Sequence, residues 1–303
     1  MDGSIARPRP FLALGLRLLT ALALATMGML LKLASTRGVQ LAELVFWRQA
    51  ITAGAVTLVL LAMGQLGSVR TQRFPAHARR AIYGITGMFF VYGAVVLLPL
   101  AEATTLSFTA PFFAVLLSVL LFREKVGKYR WAAVICGFAG VIVLTQPGSA
   151  VIDPFGAAVG LIAAFLVSLI SFQIQDLNKT EAPWSIVFWF AALTTPLTAL
   201  AMPFVYAPHD SETWLIIVAM ALCGAIAQLL LTASLRFGSA SVILLLDYTS
   251  LLWATMYGFY VFDNTPPASL WIAAPLIIGS GALIAWRERN LAQIKKREAA
   301  AET

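Results

Sequence analysis

Charge is scarce in this sequence. Of 303 residues only 12% are Asp, Glu, Lys or Arg, roughly half the share of an ordinary soluble domain. A water-soluble chain of this length needs far more polar surface than 21 basic and 14 acidic side chains supply. The composition therefore excludes a soluble enzyme and a disordered chain. It excludes a nucleic-acid-binding protein as well, because the basic residues flank apolar segments instead of gathering in a patch. Cysteine is nearly absent: Cys136 and Cys223 both lie inside apolar runs, which leaves neither a disulfide framework nor a C-x-x-C knuckle. Two histidines, His77 and His209, fall in predicted loops far apart, so a histidine metal site or a catalytic triad is not expected. No G-x-x-x-x-G-K-[ST] loop is present to bind ATP. No cofactor is expected, and no loop is long enough to hold a separate soluble domain.

What is abundant is apolar sequence, at 60% of the chain. A bilayer-spanning helix takes about 20 residues. Apolar runs between polar or turn-rich breaks give ten candidates: 11–35, 40–63, 79–98, 102–122, 130–146, 154–174, 184–205, 213–235, 238–262 and 267–287. The breaks carry turn chemistry at Pro147-Gly148, Asp153-Pro154, Ala182-Pro183, Ala207-Pro208 and Pro266-Pro267. Arg7 and Arg9 before an apolar run, with Ala23-Leu24-Ala25 beyond, mimic a secretory signal. Arg17 interrupts that run and the run continues to Leu31, so an uncleaved first span is expected. With the N-terminus inside, every Lys and Arg except Lys32, Arg37 and Arg48 falls on the inner side. The positive-inside rule then places both termini in the cytoplasm and requires an even number of spans.

The halves share a pattern. Residues 87–146 read as a span, a short connection, a span ending in Phe122-Arg123-Glu124, and a span with Gly137 and Gly140. Residues 224–287 read as a span, the connection Arg236-Phe237-Gly238, a span ending in Phe262-Asp263-Asn264, and a span with Gly279 and Gly281. Five spans per half is an odd number, so the second half lies upside down relative to the first. The expected fold is an all-α polytopic membrane protein of ten transmembrane helices in two inverted five-helix repeats, 1–150 and 151–290, with a cytoplasmic tail, 291–303. In such architectures the substrate site lies near the midplane between the halves.

Pro99-Leu-Ala-Glu-Ala-Thr-Thr-Leu-Ser-Phe-Thr-Ala-Pro111, followed by Phe122-Arg-Glu124 and Gly137-Phe-Ala-Gly140, resembles the fourth and fifth spans of the drug/metabolite transporter superfamily, in particular its ten-span EamA-type exporters. Arg48 and Lys32 also sit where that family often has basic residues. The second half departs from the pattern, with Thr249-Ser250 where Glu-Pro is common. The resemblance implies a secondary transporter of the bacterial inner membrane, exporting small metabolites such as amino acids, aromatic ones included, by alternating access. Its partners would be a small-molecule substrate and the lipid bilayer; monomer and dimer both stay open. Uptake or exchange of a nucleoside-like or sulfonium compound is the alternative within the superfamily. An integral-membrane enzyme is the alternative outside it, and that reading needs a catalytic cluster the sequence does not offer.

Asp247 is the one acid well inside a predicted span, about nine residues or roughly 13–14 Å deep. A carboxylate at that depth faces a bundle interior or a hydrated cavity. It is a candidate contact for a substrate ammonium or a carrier of a coupled proton, with no charged partner expected nearby. Tyr248 and Trp253 in the same span are candidate cavity walls. Pro111 lies mid-span and deprives the Ser107 carbonyl of a hydrogen bond. A kink there, with Ser107 and Thr109 offering hydroxyls, is expected beside the cavity. Ser168 and Ser171 share a helical face, and Gln228 lies in span eight; all three are candidate substrate contacts. Gly156 and Gly160 read as a close-packing motif. Arg48 is a candidate for a substrate carboxylate, with Glu43 or a lipid phosphate as its other possible partner.

Overall fold

The computed structural model describes residues 10–123, 126–146, 152–237 and 246–301. The described residues are helical throughout, with no strand among them. The helices are α1 (Pro10–Thr36), α2 (Leu41–Ala62), α3 (Phe74–Leu97), α4 (Leu100–Ser107), α5 (Ala110–Phe122), α6 (Lys128–Thr145), α7 (Pro154–Leu177), α8 (Pro183–Ala199), the single turn α9 (Met202–Val205), α10 (Ser211–Phe237), α11 (Thr249–Phe262) and α12 (Ala268–Ala301). Eight helical stretches are long and apolar enough to cross a bilayer. The fourth stretch runs through both α4 and α5, Leu100–Leu120. Two of the ten expected spans fall short by length. The seventh is α8, 17 residues with Pro196 inside it, and the ninth is α11, 14 residues. The first part of the expected ninth span lies outside the described residues, as do Glu124 and the Pro147-Gly148 break.

Proline placement explains much of the segmentation. α3, α5, α7, α8 and α9 each carry a proline in their first turn, where its missing N–H forfeits no helical bond. The expected kink at Pro111 is therefore a full break. α4 stops at Ser107, Phe108 and Thr109 turn, and Pro111 opens α5. Local hydroxyls bond to carbonyls beside the break: Thr109 Oγ1 donates to the Leu106 carbonyl at 2.7 Å and Ser107 Oγ to that of Thr104 at 2.6 Å. α11 likewise opens from a turn: a 3₁₀ turn spans Leu246–Tyr248 and Ser250 Oγ donates to the Asp247 carbonyl at 2.6 Å. α5 and α11 also end alike, each after a phenylalanine, with Arg123 (φ +53°) and Asp263 (φ +52°) in the left-handed region.

Packing between helices falls into matched sets: α1 with α10 and α3 with α7; α2 with α10 and α3 with α8; α1 with α11 and α5 with α7. α2 pairs with α8, and α6 with α12. Glycines allow the close crossings. A Cβ on Gly140 of α6 would lie 3.2 Å from the Ala273 carbonyl of α12. One on Gly160 would meet Leu106 at 2.9 Å and one on Gly156 would meet Leu98 at 2.7 Å, as the close-packing reading of that pair expects. One apolar core, around Phe112, Leu144 and Ile277, joins α4, α5, α6 and α12. A second, around Leu31, Met88, Tyr92 and Met220, joins α1, α2, α3 and α10.

The bundle has two ends. The α2–α3 connection and the α7–α8 connection meet at one, through Arg73 to Asp176 (2.5 Å) and Trp189 Nε1 to the Val69 carbonyl (2.8 Å); it is called the basic end below. The α1–α2 connection and the start of α10 meet at the other, the far end, through Arg37 to Glu212 at 2.5 Å.

Candidate functional site

Among the described residues, two sizeable cavities enter the bundle. The larger, of about 540 Å³, lies among α2, α3, α7, α8 and α10 beside the α7–α8 connection. Its lining includes Arg48, Gln49, Arg80, Trp184, Phe190 and Gln228, and no acidic residue. Rise along the helices places Arg80 about 9 Å from the basic end of α3, and Gln228 about 13 Å from the corresponding end of α10. The smaller cavity, about 200 Å³, lies among α1, α3, α4, α7 and α11 and is lined by Thr104, Ser107, Ser250 and many apolar groups.

A layer of soft side chains stands between them. Met27 and Tyr92 line the smaller cavity, and the Tyr92 hydroxyl donates to Met27 Sδ at 3.7 Å. Arg48 lines the larger one and donates from Nη1 to Met88 Sδ at 3.3 Å and to Gln49 Oε1 at 2.9 Å. Gln49 continues the polar chain to Thr194 Oγ1. Methionine is unbranched and adaptable, so this layer can repack with little steric penalty.

Sequence reading and structure part at several residues. Asp247 has a charged partner after all. Its carboxylate forms a two-pronged ion pair with Arg17 of α1, one prong running from Nε to Oδ1 at 2.5 Å. The pair closes a separation of 230 residues. Its physical logic was within reach of the sequence, since Arg17 and Asp247 are two intramembrane charges of opposite sign, each costly alone. Asp247 sits in the turn before α11, not in mid-helix, and faces α1 instead of α4, α7 and α10. Tyr248 packs edge-on to Phe108 with ring centroids 4.8 Å apart and lies against Gly281. Trp253 is half-buried and lines neither cavity.

Gln228 lines the larger cavity and Ser107 the smaller, whereas Thr109 is fully buried and serves the α4–α5 break. Ser168 is buried with an unpartnered hydroxyl. Ser171 is exposed and bonds back to the Val167 carbonyl, because the face these two serines share lies at the edge of the bundle surface. Glu43 does not neutralise Arg48; it accepts from Trp47 Nε1 at 3.2 Å and contacts His209 at 2.9 Å. His77 lies within α3 and is buried, not in a loop. Lys32 is held by the carbonyls of Val95 and Leu98. The sequence reading missed Arg80, Gln49, Trp184 and Phe190. Arg80 falls nearly two turns inside α3, whereas the expected third span, 79–98, placed it at a helix start.

A bundle of apolar helices with buried ion pairs, broken spans and polar cavities defines a multi-pass membrane protein built to hold and pass a small molecule. The comparisons with known proteins agree. The profile of the EamA-like transporter family matches twice, over residues 11–146 and 154–286. A riboflavin transporter of Vibrio cholerae is 31% identical over 254 residues, 78% of this chain and 84% of that protein. A pseudopaline exporter of Pseudomonas aeruginosa is 26% identical, covering 93% and 96%. An S-adenosylmethionine uptake transporter of Rickettsia prowazekii is 25% identical, covering 74% and 76%. One solved crystal structure shares the fold at a TM-score of 0.64 and 24% identity, covering 91% of this chain and 98% of that one. The chain belongs to the EamA-like transporter family of the drug/metabolite transporter superfamily, a membrane transporter of small molecules.

Proposed function

We propose that this chain is a secondary transporter of the bacterial inner membrane that exports small metabolites with a planar or aromatic portion, amino acids among them, by alternating access. The observation that supports this best is the pair of cavities separated by one adaptable side-chain layer, Arg48, Met88, Met27 and Tyr92. A molecule bound in the larger cavity passes when that layer repacks. Trp184 and Phe190 offer it aromatic walls, and Gln49 and Gln228 offer it amide groups. Ser107 is proposed to meet it in the smaller cavity, and Asp247 to act through its pair with Arg17. The matched packing sets, the turns that open α5 and α11, and the double family match support two repeats, 1–150 and 151–290. Inversion follows if each holds five spans. The basic end then faces the cytoplasm, which puts the larger cavity where an export substrate loads.

A second reading is transport of riboflavin. It is favoured by the similarity to proteins named for that function in Vibrio cholerae, Brucella anthropi and Rhizobium johnstonii. Reconstitution of the full chain into liposomes, followed by flux of labelled aromatic amino acids and of riboflavin, separates the two. Saturable amino-acid flux supports the first reading. Riboflavin flux without amino-acid flux replaces it with the second, and flux of neither overturns both. Reporter fusions after Gly148 and Ala300 should report outside and inside; an outside signal at Ala300 removes the even-span arrangement.

A further inference from the structure

We propose that Arg48 and Arg80 form an oxyanion subsite in the larger cavity, and that the transported molecule carries a carboxylate or phosphate that binds there. The proposal rests on the transport reading above and narrows it to a chemical class.

The argument begins with what the two arginines lack. A guanidinium has five N–H donors and no acceptor, and within a bilayer an uncompensated cation is costly. Other cations in the bundle have evident partners. Arg17 has the Asp247 carboxylate, and Lys32 has two backbone carbonyls. Arg80 is 8% exposed, and its Nε and Nη1 have no hydrogen-bond partner. Arg48 spends Nη1 on neutral acceptors, Gln49 and Met88, and its buried Nε has none. The cavity they share carries two positive charges and no carboxylate.

The site is also built. The Arg80 guanidinium lies over the Phe190 ring, 4.2 Å from its centroid, which fixes its plane while leaving its edge for a ligand. It folds back against Gly84 one turn along α3, where a Cβ would collide with both the guanidinium and Phe190. Arg48 is seated likewise against Gly224 of α10, whose added Cβ would lie 3.1 Å from Nε. Two helical glycines thus hold two arginines at one cavity wall. A planar oxyanion accepts in-plane N–H pairs from such forks, in charge-assisted bonds stronger than neutral ones. Gln49 and Gln228 can complete its shell with neutral donors. An oxyanion is therefore the ligand chemistry that offsets the unpaired charge and the idle donors together.

The test uses probe pairs that differ only at the proposed anchor. These are flavin mononucleotide against riboflavin, and phenylalanine against phenylalaninamide, titrated calorimetrically into the purified full-length protein in detergent. The member of at least one pair that carries the carboxylate or phosphate should bind ten-fold or more tighter than its partner. Arg80→Gln should bring that ratio close to one, and Arg80→Lys should leave it in between, since charge remains but the fork is lost. Ratios near one for both pairs in the native protein, or a ratio that Arg80→Gln leaves intact, would overturn the subsite; the native ratios keep this decision open even if a variant fails to fold. Flux in liposomes distinguishes the two readings. Transport without anion preference overturns the subsite and keeps the transporter, whereas anion-selective binding without transport of any probe does the reverse.

Discussion

At the far end of the bundle, Glu43 of α2 meets His209, just ahead of α10, at 2.9 Å, with side chains 0% and 5% exposed. Trp47 and Trp214 stack edge-on beside them, with centroids 4.8 Å apart, and Arg37 reaches Glu212. At the basic end, Glu181, just ahead of α8, faces His77 of α3 at 3.8 Å, again with both side chains buried. That separation is beyond hydrogen-bond reach, and Glu181 is instead occupied by Thr71 at 2.7 Å and Ser185 at 3.4 Å. The two pairs use the only two histidines of the chain. Each draws its glutamate from one half and its histidine from the other, and the halves exchange roles between the ends. The buried glutamate–histidine pair is therefore closed at the far end and open at the basic end, where Arg73–Asp176 and Thr71–Glu181 still join the halves and where the large cavity lies. Under the alternating access proposed above, the two pairs would exchange these conditions, and substitutions at each pair test that.

The largest effect is expected at the closed pair. Glu43→Gln replaces a fully buried carboxyl that contacts both Trp47 and His209 and should lower stability by about 2 kcal/mol, in the range for leaving a buried polar partner unsatisfied. Glu181→Gln should lower it by less than half as much, because the amide oxygen still accepts from Thr71 and only the long 3.4 Å contact with Ser185 loses its acceptor. Thermal unfolding of the purified variants decides this, and equal losses would erase the contrast. Asp247→Asn provides a scale between the two. It removes the carboxylate charge that faces the buried Arg17, yet Asp247 is 31% exposed, so solvent absorbs part of the loss. A loss between those two is expected, and the double variant Arg17→Gln/Asp247→Asn should recover most of it. If the double variant is worse than Asp247→Asn alone, the two residues do not act as a pair.

These pairings also mark the limit of what the sequence discloses. Membrane class, helix positions, the break before Pro111 and the close contacts at Gly156 and Gly160 follow from local properties: apolar run length, a missing N–H, a missing Cβ. Gln228 and Ser107 could be placed because polar residues on helical faces must find polar surroundings. The Arg17–Asp247, Glu43–His209 and Glu181–His77 contacts all join one half to the other, and nothing local encodes which distant charge will meet which. Arg80 was hidden for a related reason. A basic residue near a helix start reads as an orientation signal, and only the packing of Phe190 and Gly84 shows that it points inward.

A smaller effect should appear in accessibility. With Cys136 and Cys223 replaced by serine, Asn178→Cys at the cavity rim should react quickly with a membrane-impermeant maleimide in inside-out vesicles, while Thr213→Cys, buried at 3% exposure at the far end, should stay unlabelled in right-side-out ones. Adding Glu43→Gln should raise Thr213→Cys labelling several-fold. No increase would mean that the far-end pair is not what holds that end shut.

The smallest effect concerns how the third long helix of each half begins. At the far end Asp210 caps α10, accepting the Thr213 N–H at 3.1 Å. At the basic end Arg73 occupies the corresponding position before α3, with no side-chain cap, and its guanidinium reaches Asp176 instead. Hydrogen bonds from the Thr213 hydroxyl and backbone, with the nearby Arg37, hold the Asp210 carboxyl below the usual carboxylate range. A carboxyl lowered on folding stabilises fully above its unfolded value, about pH 4, and loses that contribution as pH falls through its folded value. Asp210→Ala should therefore lower the unfolding temperature by a small amount at pH 7, by less than Glu43→Gln, and the gap should shrink on acidification below about pH 4. Arg73→Ala should show no such dependence from a cap, because α3 never had one. A gap for Asp210→Ala that is unchanged in acid would mean that α10 is anchored at the far end by Trp214 and Glu212 alone, and that the closed pair at that end owes nothing to how the helix begins.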